Sequence, residues 1–583
     1  MTCMTEEKLQ HIRHTLAHLL AQAVRNQYPK ALLTLGPAID TGFYYDIDFG
    51  EEKVSDADLE KLEKVMHKNL PKWTEFTHTE VSKDEALEFF KGNQYKIELV
   101  NEISDRGEKI TLYKCGGFTD LCRGGHAENP AQEIAADSFK LDRVAGAYWR
   151  GDEKNPMLTR IYGLAFATKT ELDAYITQRE EAKARDHKKL GRELDLFTFS
   201  DLIGAGLPLF TPKGTLLRDL LDGFVWEMRK EAGYERVDIP HITKKDLYQT
   251  SGHWEKFGDD LFKVKTREGH EFALKPMNCP HHTQIFARKL WSYREMPERY
   301  ASTTKVYRDE QTGELAGLSR VRSITQDDAH VFCRPTQVKE EMGKIYNIIK
   351  KFYGTFGFIL TPRLSLHDPK NMGAYLGTEE SWLKAEEELR SMIKEKGDVA
   401  IEAAGEAAFY GPKIDFMAKD AIGRELQVGT IQLDNNMPER FDLYCINEEG
   451  KQERVVMIHA AIMGSIERFM SVLIEHYAGV FPTWLNPVQV AIIPVRENHD
   501  AGAVELATKL KAEHIRVEVV SSNDSLGKRI HAAKKMNTPY IIVLGDKEIA
   551  SGNLTIEKRD GTKVEMNTEN FIETIAVEIK ERK

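Results

Sequence analysis

The sequence predicts a multidomain α+β protein with three parts. These are an N-terminal α+β domain, a central domain built on an antiparallel or mixed sheet, and a small C-terminal α/β domain. Three observations carry this. The chain has 583 residues, enough for three or four separate cores. From about Leu194 to Thr483, strand-like apolar runs alternate with helices but lack the regular helical crossovers of a doubly wound sheet. After the turn-rich FPTWLNP (481–487) the pattern becomes strand, helix, strand, helix, strand, strand, helix.

Each part follows from its residues. From Glu6 to about Tyr28, Ile12, Leu16, Leu19, Leu20 and Val24 recur at helical spacing. GPAIDTGFYYDIDF (36–49) reads as a turn and a half-buried strand, and mixed pattern continues to about Leu164. TKTELDAYITQREEAKARDHKKL (168–190) reads as one charged helix with little apolar face, the kind that bridges domains. Helices are predicted at Leu216–Ala232 and Val338–Tyr353. The resulting expectation is an N-terminal domain over 1–167, a linker over 168–193, a central domain over 194–485 and a terminal domain over 486–583.

Composition bounds the class. With 41% hydrophobic and 30% charged residues the chain reads as globular, and no apolar run reaches bilayer length, so no membrane partner is expected. The six cysteines (Cys3, Cys115, Cys122, Cys279, Cys333, Cys445) are too few and irregular for a disulfide framework, which reads as reduced and cytoplasmic. A net charge of −11 does not exclude nucleic acid, because a local Lys/Arg stripe suffices for phosphate contact.

The chemistry sits in separated motifs. Cys279 lies in KPMNCPHH, His330 in ITQDDAHVF and His459 in MIHAAIMGSIERF. One thiolate and two imidazoles suit Zn²⁺ and leave a fourth position open for a substrate. Arg308 in VYRDEQTG, Arg320 in LSRVRS and Arg468 in GSIERF offer guanidinium forks for phosphate oxygens.

On these motifs the chain resembles the bacterial threonyl-tRNA synthetases, which are class II aminoacyl-tRNA synthetases. RDE with Arg320 looks like motif 2, GSIERF like motif 3, and YERVDIPHI with Pro240 like the dimer-forming motif 1. KPMNCP, TQDDAH, FYGPKIDF, VGTIQLD and GDKE match the family's strings, and the likeness runs from about Leu9 to the C-terminus. It implies a homodimer that uses ATP, L-threonine and tRNA(Thr), with one Zn²⁺ per subunit on Cys279, His330 and His459 and Mg²⁺ accompanying ATP. Arg308 is expected on the α-phosphate, Glu310 on the adenine amino group, Arg320 on the γ-phosphate and Arg468 stacked on adenine. Ile324 stands where the family usually has an aromatic residue and is expected to cover the other adenine face. Gln326, Asp328, Tyr410 and Lys413 are expected around threonine or its adenylate, and Gln427 and Gln432 along the adenylate pocket. His253 in SGHW is expected to assist transfer to the tRNA ribose. A non-catalytic paralogue would typically have lost motif 2 or motif 3 arginines, and all three are present.

Serine also carries a hydroxyl and an amine, and a missing methyl discriminates by only about 1–3 kcal/mol. A second, hydrolytic site is therefore expected. His14 and His18 in HIRHTLAH are four apart on one helical face, and Cys122 and His126 in DLCRGGH are also four apart. This spacing suits a metal as well, so a zinc site is the alternative. The resemblance is to the editing domain shared with alanyl-tRNA synthetases, and it implies hydrolysis of seryl-tRNA(Thr) without a metal, with Lys96 and Asp120 as further members. In the terminal domain, resemblance to an anticodon-binding domain assigns Asn523 and Glu548 to anticodon bases, with Lys558 and Arg559 offering charge beside Glu557. Bacterial relatives usually begin with a ubiquitin-like (TGS) domain, and this chain is expected to lack it.

Overall fold

Thr5 starts the first helix. Its side-chain oxygen accepts from the Lys8 amide, and Glu6 and Glu7 occupy the first turn, where the helix dipole favours negative charge. In the computed structural model, which describes residues 5–421 and 423–583, this helix, α1, spans Glu6–Gln27. Cys3 lies outside the described residues. The chain divides into two units between Glu181 and Ala182.

In the first unit, β1 (Gly42–Asp48) pairs antiparallel with β5 (Met157–Ala165), which pairs with β4 (Phe139–Tyr148). Helices α1 and α2 (Leu59–Asn69) share its core, where Leu16, Leu20 and Val24 meet Phe43, Tyr45, Leu62 and Met66. A hairpin of β2 (Ile110–Cys115) and β3 (Phe118–Leu121) and the helix α3 (Gln94–Asp105) complete the frame for the N-terminal site. Strand β1 is more covered than its alternation predicts, because Asp46 on its second face is buried in a two-pronged ion pair with Arg160 (2.6 and 2.8 Å). The charged linker is two helices rather than one, α4 (Lys169–Ala184) and α5 (His187–Glu193). Asp186 ends the first and caps the second by accepting from the Lys188 amide.

In the second unit, α6 (Pro212–Glu231) and β6 (Glu235–Arg236) precede α7 (Cys279–Phe286), β7 (Glu298–Tyr307) and β8 (Ser323–Cys333). Then come α8 (Val338–Thr355), β9 (Ile359–Leu366), β10 (Ile401–Ala404), β11 (Lys413–Lys419), β12 (Glu425–Asp434), β13 (Val456–Ser465) and α9 (Ile466–His476). The strands form one sheet in the order β6–β7–β8–β13–β12–β11–β9–β10. The outermost pair at each edge is parallel and the inner pairs are antiparallel, which is the mixed sheet expected. Strand period two sorts β8. Ala329, Val331 and Cys333 pack with Leu221 of α6 and Ile349 of α8, so Ile324, Gln326, Asp328 and His330 point to the opposite face. One ladder row then runs Tyr300, His330, His459, Gln432, Lys413 across five strands.

The terminal part carries β14 (Val490–Pro494), β15 (Val517–Val519), β16 (Tyr540–Leu544), β17 (Asn553–Lys558) and β18 (Lys563–Asn567), ordered β15–β14–β16–β17–β18. The sequence reading lacked β18, whose polar KVEMN is exposed at alternate positions and carries little apolar signal. Arg516 ties the FPTWLNP join by donating to the Trp484 carbonyl at 2.7 Å.

Candidate active site

The open face of the central sheet floors a cavity of about 1060 Å³. Arg308, Glu310, Arg320, Ile324, Gln326, Asp328, Tyr410, Lys413, Gln427, Gln432, His459 and Arg468 all line it, although they come from positions up to 160 residues apart. Arg308 is the most telling member. Burial pulls its pKa below the usual arginine value, its Nε has no hydrogen-bond partner, and its Nη2 reaches only the Met277 sulfur at 3.4 Å. A desolvated guanidinium without a carboxylate partner is an incomplete anion site. Arg320 is paired instead: its Nε donates to Glu310 at 2.8 Å and its Nη2 lies 3.2 Å from Glu314.

The far side of the floor is held by Asp415, buried on β11. It accepts from Lys413 Nζ at 2.7 Å, Gln427 Nε2 at 2.6 Å, Ser365 Oγ at 2.8 Å and Thr430 Oγ1 at 3.0 Å. Gln432 Nε2 donates to the Gly411 carbonyl at 3.0 Å. At the near side Asn278 Nδ2 bridges Asp328 (3.0 Å) and Gln326 (3.5 Å).

Cys279, at the first turn of α7, meets His330 and His459 with their candidate ligand atoms all within 4.8 Å of one another. All three side chains are buried. That limit leaves room for a tetrahedral Zn²⁺, with bonds of about 2.3 Å to sulfur and about 2.0–2.1 Å to nitrogen. The outer hydrogen bonds fit as well. His459 Nε2 lies 2.9 Å from Asp434 Oδ2, leaving Nδ1 toward His330, and His330 Nδ1 lies 2.8 Å from His282, leaving Nε2 toward His459. Burial drives the Cys279 thiol well above its usual pKa, so the thiolate is formed only against a cation. His253 does not line the cavity. It is fully buried behind the sulfur, with Nε2 3.7 Å from Cys279 Sγ and Nδ1 2.8 Å from Ser251 Oγ.

The first unit assembles a second cluster. Cys122 Sγ lies 3.5 Å from His14 Nε2 and 3.4 Å from His126 Nε2, and the four groups with His18 also have metal-ligand spacing. Burial opposes ionisation of Cys122, but hydrogen bonds from His126, His14 and His18 outweigh it and pull the thiol down to about 3. His18 moves the other way: burial opposes its charge, yet Asp120 and Cys122 raise it to about 9. Asp120 is buried with Lys96 Nζ at 2.5 Å and accepts from the Tyr45 hydroxyl at 2.6 Å.

In the terminal part, Asn523 is exposed, whereas Glu548 caps its own short helix by accepting from the Gly545 amide and the Thr555 hydroxyl. Arg559 turns inward and donates to the Phe481 carbonyl at 2.7 Å, so the charge expected for phosphate is used in the join between the parts. Glu557 pairs with Lys534.

Sequence reasoning missed Tyr45, His282, Asp415 and Asp434. A signal existed for three of them. Asp415 and Asp434 each follow a predicted cavity residue by two, the strand period, and His282 follows Cys279 by one helical turn.

Comparison with known proteins points to one family. The family model for the class II tRNA synthetase core domain (G, H, P, S and T) matches 262–477, that for the anticodon-binding domain matches 489–578, and that for the threonyl and alanyl tRNA synthetase second additional domain matches 110–162. The threonine–tRNA ligase of Cytophaga hutchinsonii is 46% identical over 97% of this chain and 88% of its own length. That of Porphyromonas gingivalis is 48% identical over 97% and 87%. The solved RNA-binding domain of threonyl-tRNA synthetase from Cryptosporidium parvum superposes with a TM-score of 0.65 at 35% identity, covering 67% of this chain and 98% of its own. With relatives this similar over nearly its whole length, the chain belongs to the threonine–tRNA ligases, a family of class II aminoacyl-tRNA synthetases.

Proposed function

We propose that this protein activates L-threonine with ATP and transfers the threonyl group to the 3′ end of tRNA(Thr). The observation that carries the reading is one cavity lined by Arg308, Arg320 and Arg468 and abutting the buried Cys279, His330 and His459. The threonine carboxylate attacks the α-phosphorus, the α–β P–O bond breaks, and pyrophosphate leaves; Mg²⁺ accompanying ATP would neutralise part of its charge. A carboxylate is already a nucleophile, so no base is needed. Positioning and charge stabilisation supply the rate. Arg308 meets the α-phosphate as the partner it lacks within the protein. Glu310 receives the adenine amino group and Arg320 the γ-phosphate, each giving up part of its bond to the other. Ile324 and Arg468 cover the two adenine faces, while Gln427, Gln432 and Lys413 line the adenylate.

Cys279, His330 and His459 would hold one Zn²⁺ per subunit, which supplies a Lewis-acid position for the amine and hydroxyl that distinguish threonine from valine. Gln326, Asp328 and Tyr410 orient the amino acid beside it, with Asp328 accepting from the hydroxyl. In the second step a ribose hydroxyl attacks the adenylate carbonyl, AMP leaves, and the hydroxyl proton passes to His253, whose ring lies 6.2 Å from that of Tyr410 in the cavity wall. Threonine-dependent exchange of labelled pyrophosphate into ATP tests the reading. Exchange should be robust and should collapse in Cys279→Ala together with bound zinc. Exchange indifferent to Cys279→Ala rejects the metal role, and no exchange in the unmodified protein rejects the function.

The same reading divides the chain into editing (1–167), linker (168–193), catalytic (194–485) and anticodon-binding (486–583) parts, working as a cytoplasmic homodimer. The editing part hydrolyses seryl-tRNA(Thr). The cluster of His14, His18, Cys122 and His126, backed by Lys96, Asp120 and Tyr45, supports water activation there. Asn523, and Glu548 once released from its cap, face the anticodon. Release of serine from seryl-tRNA(Thr) should vanish in a His14→Ala/His18→Ala variant.

A further inference from the structure

The linker helix α5 reaches the nucleotide end of the cavity. Its first residue, His187, is buried and touches both walls. On one side its Nδ1 lies 2.6 Å from Glu475 Oε1, and its backbone amide donates to the same oxygen at 3.2 Å. Glu475 is in the last turn of α9, the helix that carries Arg468, and lines the cavity beside Arg424, with which it also pairs. On the other side the Leu318 amide donates to His187 Nε2 at 3.1 Å. Leu318 is fully buried and lies in the loop between Arg308 and Arg320. With Nδ1–H donating and Nε2 accepting, the ring is a neutral bridge whose tautomer is fixed by its two partners. Arg185, two residues earlier, donates to the His476 carbonyl at the end of α9 at 3.1 Å.

A second observation points the same way. Gly317 has φ +56, in the left-handed region, and a Cβ added there would stand 2.4 Å from His187 Nε2. The loop has shaped its backbone to admit the imidazole.

We propose that His187 is a positioning residue for the nucleotide, tying the Arg308–Arg320 loop to the α9 helix so that Arg320 and Arg468 are held at a fixed separation before ATP arrives. This rests on the reading of the cavity as an ATP site. The ring touches no residue placed here around threonine or the metal, so its loss should fall on ATP alone. One hydrogen bond to a buried backbone amide corresponds to about a five- to tenfold change in binding.

The test is threonine-dependent pyrophosphate exchange with both substrates varied in the full-length protein. His187→Ala and Gly317→Ala should raise the KM for ATP about five- to tenfold, with the KM for threonine and the zinc content at wild-type values. His187→Gln keeps an acceptor where Nε2 was and should recover most of the ATP affinity, whereas His187→Asn keeps only the donor toward Glu475 and should not. A KM for ATP within twofold of wild type in His187→Ala overturns the proposal, as does an equal rise in both KM values or rescue by Asn but not Gln. Failure of the underlying function looks different, because the unmodified protein would then show no exchange.

Discussion

Asp434→Asn should weaken zinc binding without unfolding the site. Asp434 is wholly buried and its two oxygens have separate tasks. Oδ1 accepts from the Asn436 and Met437 amides at 2.8 and 2.9 Å, while Oδ2 faces His459 Nε2 at 2.9 Å. In the asparagine variant the amide oxygen keeps the two backbone donors, because the alternative orientation would set an NH₂ against two N–H groups. The amide nitrogen then faces Nε2, which must accept. The ring proton moves to Nδ1, the atom that lies 3.1 Å from His330 Nε2 on the metal side. Coordination now requires the other tautomer, with two donors opposed across Nε2. The loss is that of one charge-assisted hydrogen bond, about 1.5–3 kcal/mol, which corresponds to about a 10- to 100-fold fall in zinc affinity. Competition against a calibrated chelator reads this directly, with Cys279→Ala as the floor. Wild-type zinc affinity in Asp434→Asn would refute the tautomer reasoning.

Three further outcomes follow from the geometry of the same protein. Arg308→Gln should lower kcat/KM for pyrophosphate exchange by about 10²–10³, the usual effect of removing one donor aimed at developing charge; a loss below about tenfold would place Arg308 off the reacting phosphate. Cys122 should alkylate with iodoacetamide at nearly the same rate from about pH 5 to about pH 8, since its folded pKa of about 3 leaves the thiolate fraction saturated throughout, whereas an ordinary thiol gains about tenfold per pH unit. Peptide mass spectrometry isolates this site, and a rate rising with pH sinks the thiolate assignment. Arg229→Met should destabilise the second unit by about 3–5 kcal/mol, because it leaves the fully buried Asp327 without its cation; a thermal midpoint shifted by less than about 1 °C would show the pair to be unimportant.

Most of the site was legible in the sequence because its donors are rare residue types inside distinctive strings. Cys279, His330 and His459 announce themselves by chemistry, and the strand period then fixes which neighbours share their face. Less legible were residues whose task is to hold another residue. Asp415 and Asp434 are ordinary acids in apolar strands, and only tertiary pairing shows that one holds Lys413 and Gln427 and the other orients His459. His187 sits in a charged stretch whose pattern reads as a solvated helix, and its partners lie 131 and 288 residues away. The linker break had a local signal in Asp186, a capping residue, but the surrounding run of helix formers concealed it. Arg559 shows the converse failure, since a basic residue beside a predicted nucleic-acid face spends its charge inside the fold.

The adjacent acids Asp327 and Asp328 show how one strand can serve both structure and chemistry. Successive side chains on β8 point to opposite faces, so Asp328 enters the cavity while Asp327 points into the helix layer. There it meets a break in the ladder. Asp327 pairs with Gly464 and Ala329 with Ala460, so three β13 residues, 461–463, stand opposite Asp328 alone and the ladder to β8 is interrupted there. Four backbone groups around the break are satisfied from the helix side. Asp327 Oδ2 accepts from the Ile462 and Met463 amides at 2.9 Å each, the Tyr353 hydroxyl donates to the Ile462 carbonyl at 2.9 Å, and Arg229 donates to the Ala460 carbonyl at 3.2 Å. Arg229 also lies 2.5 Å from Asp327 Oδ1 as an ion pair, though not in hydrogen-bonding alignment. The bulge turns Gly464, at φ +69, toward Ser465, whose hydroxyl caps α9 and so sets where Arg468 begins its reach into the cavity. An apolar side chain at Asp327 would leave two buried amides unpaired and one guanidinium without its counter-charge beneath the cavity arginines. The acid that touches no substrate is therefore as necessary to the cavity's shape as the one that faces it.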